Sequence, residues 1–292
     1  MMLKVGIFGI PWVFSNRRQG TALAPFAIRY TGILDQLANS RIELSDFKNL
    51  DFCTEETLFL SSELKAVTSE MLNQMEPLDC MLQQVDTSLV LAGDEWNALL
   101  LIGAAQKQSP ESVYVILDAP GQTDSFDSYL GVLKKLFEGK RLGLNNLELK
   151  PSQVCILSAK REFESEKTFF EKEGIQYFGL TDIENFGFKA VVLKVLAWVQ
   201  GGKSQVHLLL SASAIDPIFV PGVNQVTPGG LTYREIACFM QVMAEEISFS
   251  SIMIAGLNPL RDEGNKSAKF MARLLEIYFQ ARTLVDENRL KI

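Results

Sequence analysis

The sequence predicts an α/β fold: a three-layer α/β/α sandwich built on a mostly parallel, eight-stranded sheet. Three observations point to it. Eight short runs of β-type residues alternate with amphipathic helical segments along the whole chain. Most of these runs are continuously apolar, which is how strands read when helices cover both faces of the sheet. No repeat, low-complexity tract or Pro/Gly-rich linker interrupts the alternation, so residues 1–292 are expected to form one domain.

Taken in order, the strands are expected at 3–8, 41–44, 88–92, 113–118, 153–158, 176–179, 205–211 and 251–255. The helices are expected at 24–38, 56–84, 96–106, 128–137, 162–173, 182–198, 232–247 and 267–284. The first strand belongs to an apolar run, 5–14, that follows Lys4 and superficially resembles a signal peptide. Gly6, Gly9 and Pro11 interrupt it, Arg17 and Arg18 follow, and no small-residue cleavage site stands where one is needed. The helix at 232–247 opens on Thr232-Tyr233-Arg234-Glu235, which has capping-box spacing, after a tight turn at Pro228-Gly229-Gly230. Asn265-Lys266-Ser267 matches a glycosylation sequon but is read as the opening of the last helix. The apolar stripe from Phe270 to Phe279 is read as core or subunit contact.

Composition narrows the function. The chain is 47% hydrophobic and 22% charged, with a net charge of −7 and no basic run longer than pairs such as Arg17-Arg18 or Lys134-Lys135. Nucleic acid is therefore a poor partner. No stretch of roughly 18 apolar residues exists to span a membrane, and a cytoplasmic location is expected. Cys53, Cys80, Cys155 and Cys238 are scattered without a Cys-x-x-Cys pair, and read as reduced thiols that mostly fill the core. Gly6-x-x-Gly9 is too short a signal for dinucleotide binding. Gly202-Lys203-Ser204 has Ala197 where a P-loop needs its first glycine, and it joins a helix to a strand, the reverse of the required order.

Ligands of open parallel sheets bind at the carboxyl ends of the strands. Four places there stand out: Gly93-Asp94-Glu95-Trp96, Asp118-Ala119-Pro120, Ser211 to Pro217, and Gly256-Leu257-Asn258-Pro259. In this order and at these distances they resemble the ureohydrolase family of arginases, agmatinases and formimidoylglutamases. The resemblance covers essentially the whole chain. It begins with Gly20 and Pro25-Phe26-Ala27-Ile28-Arg29. It is strongest across Asp216-Pro217-Ile218-Phe219-Val220-Pro221-Gly222 and Thr227-Pro228-Gly229-Gly230-Leu231-Thr232-Tyr233-Arg234-Glu235, and it ends on Asn258-Pro259.

The resemblance implies an arginase-like fold, assembly as a trimer or hexamer, and two manganese ions holding a hydroxide that attacks a guanidinium or formimino carbon. Six His and Asp ligands would be required. The first motif, Gly-Gly-Asp-His, reads Ala92-Gly93-Asp94-Glu95 here. The second, Asp-Ala-His-x-Asp, reads Asp118-Ala119-Pro120-Gly121-Gln122. The third, Asp-x-Asp-x-x-Asp-Pro, reads Ser211-Ala212-Ser213-Ala214-Ile215-Asp216-Pro217. Of the six ligands only Asp118 matches. The family's proton-shuttle His has no counterpart after Asp118, and the Glu that meets the guanidinium is Gly256.

The expected pocket is therefore Asp94, Glu95, Asp118, Pro120, Gln122, Ser211, Ser213 and Gly256, with no manganese pair. Glu95 and Asp118, with Asp124 or Asp127 from the following loop, could share at most one hard cation. They are also the candidate catalytic residues, acting as an acid or base. In the blander account Asp94 and Asp118 only brace their loops, Glu95 is solvated and Asp216 is structural. His207, the only histidine, lies four residues before Ser211 in one strand, roughly 13 Å away, and is expected to be structural rather than the base of a Ser-His pair with Ser211 or Ser213. The leading expectation is a pseudoenzyme on a ureohydrolase scaffold, binding a small molecule or regulating an active paralogue. The alternatives are a hydrolase of linear amidines using one weakly held metal, and metal-free chemistry at Glu95 or Asp118.

Overall fold

The computed structural model describes residues 2–13, 19–38, 41–50, 78–119, 129–137, 149–160, 164–201 and 205–289. Its strands are β1 (Leu3–Ile10), β2 (Ile42–Asn49), β3 (Thr87–Ala92), β4 (Val113–Leu117), β5 (Val154–Leu157), β6 (Gln176–Phe178), β7 (Val206–Ser211) and β8 (Phe249–Ala255). They form one sheet in the order β2-β1-β3-β8-β7-β4-β5-β6, and every pairing is parallel. The expected sheet is thus present, and wholly parallel.

The helices are α1 (Ala24–Arg29), α2 (Ile33–Ala38), α3 (Ala98–Gln108), α4 (Tyr129–Phe137), α5 (Glu164–Glu173), α6 (Leu180–Phe186), α7 (Phe188–Gly201), α8 (Tyr233–Glu246) and α9 (Lys266–Arg289). Successive strand residues point to opposite faces, so each strand contributes to two separate cores. Leu208 and Leu210 of β7 pack under α1, α2, α7, α8 and α9. Leu209 between them packs under α3, α4 and α5. This two-sided burial accounts for the continuously apolar runs in the sequence. Among the described residues, no helix is long and apolar enough to cross a membrane.

The departures from expectation are local and have causes. β2 extends to Asn49 because it is an edge strand whose residues alternate between buried and exposed, a weaker signal than a continuous run. Its register slips between Ile7 and Phe8 of the neighbouring strand, where Lys48 takes a φ of 65°. The helix expected at 24–38 is two helices separated by a turn at 30–32, and that at 182–198 breaks at Gly187, whose φ of 80° no helix can carry. Apolar spacing continues across both breaks, which is why it does not reveal them. The helix expected at 96–106 is preceded by a short 3-10 turn, Glu95–Asn97, and α9 runs on to Arg289. Most of the helix expected at 56–84 lies outside the described residues, where 78–82 is helical.

The thiols correct one expectation: Cys155 is a buried core residue, but Cys80 is exposed and Cys238 half-buried, because the latter two sit on helical surfaces rather than in the sheet. Cys53 and the Gly202-Lys203-Ser204 segment lie outside the described residues. His207 is structural, as expected. Its Nδ1 lies 2.7 Å from Ser251 Oγ on the adjacent strand, its ring stacks on Tyr114, and burial pushes its pKa down to about 3, so it stays neutral. The apolar stripe of α9 is core: Met271, Leu274, Leu275, Tyr278 and Phe279 are all buried.

The capping box forms as the spacing predicts. Thr232 N and Oγ1 each donate to Glu235 Oε2 at 2.8 Å, and Glu235 N donates back to Thr232 Oγ1 at 3.4 Å. Thr232→Ala is expected to lower stability by about 1 kcal/mol, and Glu235→Ala by a similar amount. Because each residue holds the other's amide, the double variant should lose clearly less than the two single losses combined. Strict additivity in urea-unfolding midpoints would mean that the two bonds act independently.

Candidate functional site

The four central strands, β3-β8-β7-β4, are consecutive in the sheet, and their carboxyl ends bring the four sequence motifs together. Leu91 pairs with Ile254, Ser211 with Ala255, and Leu117 with Leu210. Ser211 is itself in the last of the β7–β8 pairs, and Gly256, Asp118 and Glu95 follow the ends of β8, β4 and β3.

Local backbone chemistry aims each side chain. Asp94 caps the 3-10 turn that follows β3, its Oδ1 accepting from Trp96 N at 3.2 Å, while Asn97 Nδ2 donates to the carbonyls of Trp12 and Asp94. This turn swings Glu95 inward, where it is 2% exposed. The expectation of a solvated Glu95 is therefore wrong: the cap fixed by Asp94 decides its direction, and that cap is not visible as burial in the sequence. Ser211 caps the next 3-10 turn, accepting from Ser213 N at 3.2 Å, which places the two hydroxyls side by side. Asp118 braces its own loop as expected, Oδ1 accepting from Ala119 N at 2.8 Å and Oδ2 from Leu130 N at 3.3 Å.

These groups form one continuous chain. Glu95 Oε1 lies 2.9 Å from Ser211 Oγ, Ser211 Oγ 2.7 Å from Ser213 Oγ, and Ser213 Oγ 3.2 Å from Asp118 Oδ1. Three oxygen-to-oxygen contacts require three protons, and the two hydroxyls supply only two. The third comes from a carboxyl group. Burial, and then the charge of Glu95, push the Asp118 pKa up to about 7, against the hydrogen bonds that Ala119, Leu130 and Ser213 donate.

Gly256 is tied to this chain. Its φ is 78°, and a Cβ there would stand 2.3 Å from Glu95 Oε1 and 3.3 Å from Ser211 Oγ. The Glu95 carboxylate occupies the space that a side chain at 256 would need. Of the remaining expected pocket residues, Pro120, Gln122, Asp124 and Asp127 lie outside the described residues. Asp216 is structural: its Oδ1 accepts from Ile218 N at 2.9 Å and its own amide donates to Leu231 O. The Arg29 that ends the first motif binds Asp46 and Asn49, and Asn258 caps the turn after β8, so both hold the scaffold.

Two buried polar residues that feel the charge of these acids escaped the sequence reading. Tyr129, the first residue of α4, is 1% exposed, and burial followed by the charges of Glu95, Asp118 and Asp94 holds its hydroxyl well above the usual range. Lys160, three residues past β5, is 3% exposed and donates to Thr227 O at 3.0 Å. Burial lowers its pKa, partly offset by Asp216 and Asp118. The rule that selects strand ends would have found Lys160 had it been applied to the fifth strand. Tyr129 carries no sequence signal beyond an apolar helix position.

The arginase family model matches residues 3–279. The chain belongs to the arginase family. It is 26% identical to the arginase of Bacillus caldovelox over 95% of this chain and 98% of that protein, and 26% identical to the arginase of Brevibacillus brevis over 97% and 100%. The native structure of the Bacillus caldovelox enzyme superposes with a TM-score of 0.83, covering 95% of this chain and 98% of that one. Formimidoylglutamase from Bacillus subtilis, at 14% identity, a TM-score of 0.76 and coverage of 97% and 88%, shares the fold.

The manganese pair implied by the family resemblance can be tested against these donors. The described residues at the ligand positions supply two carboxylates and two hydroxyls, linked in a single hydrogen-bonded chain. Among the described residues no group of three or more His, Cys, Asp or Glu is placed to hold a metal. At two of these positions the described donors are uncharged hydroxyls where the family resemblance calls for carboxylates.

Two expectations follow. The folded chain keeps the Asp118 proton up to about pH 7, whereas an unfolded aspartate releases it near about pH 4. Between these values the folded state binds more protons, so this group's contribution is greatest in acid and falls as pH rises, by up to about 1.4 kcal/mol per pH unit, levelling off above about 7. The unfolding free-energy difference between wild type and Asp118→Asn should shrink across that window, and a difference independent of pH would remove the Asp118 proton from the account. Gly256→Ala should destabilise by about 1 kcal/mol or more through its backbone angle alone, and further through Glu95. Glu95→Ala should relieve the second part, giving a measurable coupling in a double-mutant cycle.

Proposed function

We propose that this arginase-family protein does not carry out binuclear manganese hydrolysis and instead serves as a binding or regulatory protein, taking up a small molecule in the old pocket or acting on an active paralogue. The observation that carries this reading is the Glu95-Ser211-Ser213-Asp118 chain, which engages with itself the positions where metal ligands would stand. Serine hydroxyls are weak neutral donors and do not restore the charge of the two aspartates they replace.

A second reading has one observation in its favour: Glu95 and Asp118 share a single hydrogen-bonded network, so one hard cation could bridge them and assist hydrolysis of a C–N bond in a linear amidine. In that case Asp118→Ala abolishes activity and added divalent metal restores it. Metal-free acid or base chemistry at Glu95 or Asp118 is distinguished by turnover that ignores chelators.

The deciding measurement is metal content per chain after incubation with excess manganese and desalting, together with urea release from arginine and agmatine. No retained metal and no urea is the expected result. Two retained manganese ions per chain would end the proposal.

A further inference from the structure

His207, the chain's only histidine, lies near the start of β7, in the middle of the sheet. The strand register places it in one row with Ser88 of β3, Ser251 of β8 and Tyr114 of β4, so the row crosses all four central strands. These side chains lie on the side covered by α3, α4 and α5, because Val206 and Leu208, the neighbours of His207 in β7, belong to the opposite core. The His207 ring is 2% exposed, and Ser88, Ser251 and Tyr114 are buried more deeply still.

This row has room for a neutral imidazole and none for a charged one. Nδ1 meets Ser251 Oγ at 2.7 Å, whereas Nε2 has no partner among the described residues. A neutral ring can leave Nε2 unprotonated; an imidazolium carries a proton on both nitrogens, and the one on Nε2 would find no acceptor. Nothing offsets its charge either. Across β4 the ring stacks on Tyr114, whose hydroxyl donates to Ile102 O at 3.3 Å and is kept protonated by burial. Across β8 it meets the uncharged Ser251. The buried residues of α3, Ala98 to Ala105, are uncharged as well. Of the buried titratable groups in neighbouring elements, Tyr129 of α4, Glu166 of α5 and Glu95 and Asp118 at the strand ends, none contributes to the proton affinity of His207, which burial alone lowers.

We propose that His207 is an acid trigger in the centre of the sheet: the folded chain holds only a neutral imidazole there, and taking up a proton opens β8-β7-β4 and with it the strand-end site. Ser211 follows four residues later in the same strand, so the site cannot outlast the strand that carries it. An unfolded histidine gains its proton near about pH 6.5, whereas the buried one holds none until about pH 3. Between these values the unfolded chain binds the extra proton, so stability falls as pH falls, the opposite sense to Asp118.

A single histidine gives a single pair of imidazole nitrogen resonances, so nitrogen NMR of isotope-labelled protein reads this residue without assignment. From about pH 7.5 to about pH 5 the folded protein is expected to keep the neutral pattern, with imidazolium appearing only in step with the loss of folded signal in circular dichroism. His207→Phe keeps a ring against Tyr114 and cannot take a proton. Urea unfolding of wild type and His207→Phe isolates the group, because every other titrating residue is common to both. The ratio of their unfolding constants should shift about thirtyfold over that interval, with the wild type the more weakened in acid. An imidazole that protonates near its ordinary value while the sheet stays intact, or a ratio that does not change with pH, would overturn the proposal. Should His207→Phe not fold, the wild-type resonances decide on their own, since they need no variant.

Discussion

Two carboxylates, one beyond the end of β3 and one beyond the end of β4, held out of contact with water, would repel one another unless something stood between them. For unit charges about 8 Å apart in an effective dielectric of about 20, the repulsion is roughly 2 kcal/mol. Here two serine hydroxyls stand between them. Everything else in the site is arranged around that requirement. Asp94 turns Glu95 inward, the amides of Ala119 and Leu130 fix Asp118, and the 3-10 turn after β7 sets Ser213 beside Ser211.

The scaffold makes this proximity unavoidable. In a parallel sheet the strand order decides which ends meet, and the order β3-β8-β7-β4 gathers residues far apart in sequence at one edge. The capping box at Thr232, the Asp216 turn and the Asn258 cap maintain that edge without taking part in its chemistry. This explains how the segments most like the family can persist while the ligand positions differ. The first answer to backbone hydrogen bonding, and the second to whatever the pocket holds.

The layers, the parallel sheet and the identity of the four strand ends were legible in the sequence because all three follow from the period and continuity of apolar residues. Helix breaks were not, since apolar spacing carries on through residues 30–32 and Gly187. The site was legible in part. Glu95, Asp118, Ser211, Ser213 and Gly256 were singled out by what they replace, yet the bonds among them depend on two short turns whose geometry leaves no periodic trace. Glu95 shows the difference most clearly: a glutamate after a strand reads as solvated, and only the cap made by Asp94 buries it. Tyr129 was hidden for the opposite reason, because an aromatic residue on a helix reads as core whether or not its hydroxyl finds a partner.

The substitutions at this edge depend on one another. A glutamate restored at 256 would place its Cβ within 2.3 Å of Glu95 Oε1 before its carboxylate was accommodated. Aspartates at 211 and 213 would remove both hydroxyl donors and add two charges beside Asp118, whose carboxyl pKa is already raised above the ordinary range by burial and by Glu95. Each reversal alone therefore worsens repulsion or crowding, and only a concerted set, with the cations to neutralise it, relieves both. A hydrogen-bonded chain and a metal cluster are thus two separate solutions to the same electrostatic problem. A sequence that satisfies one in full is poorly placed to reach the other by single steps.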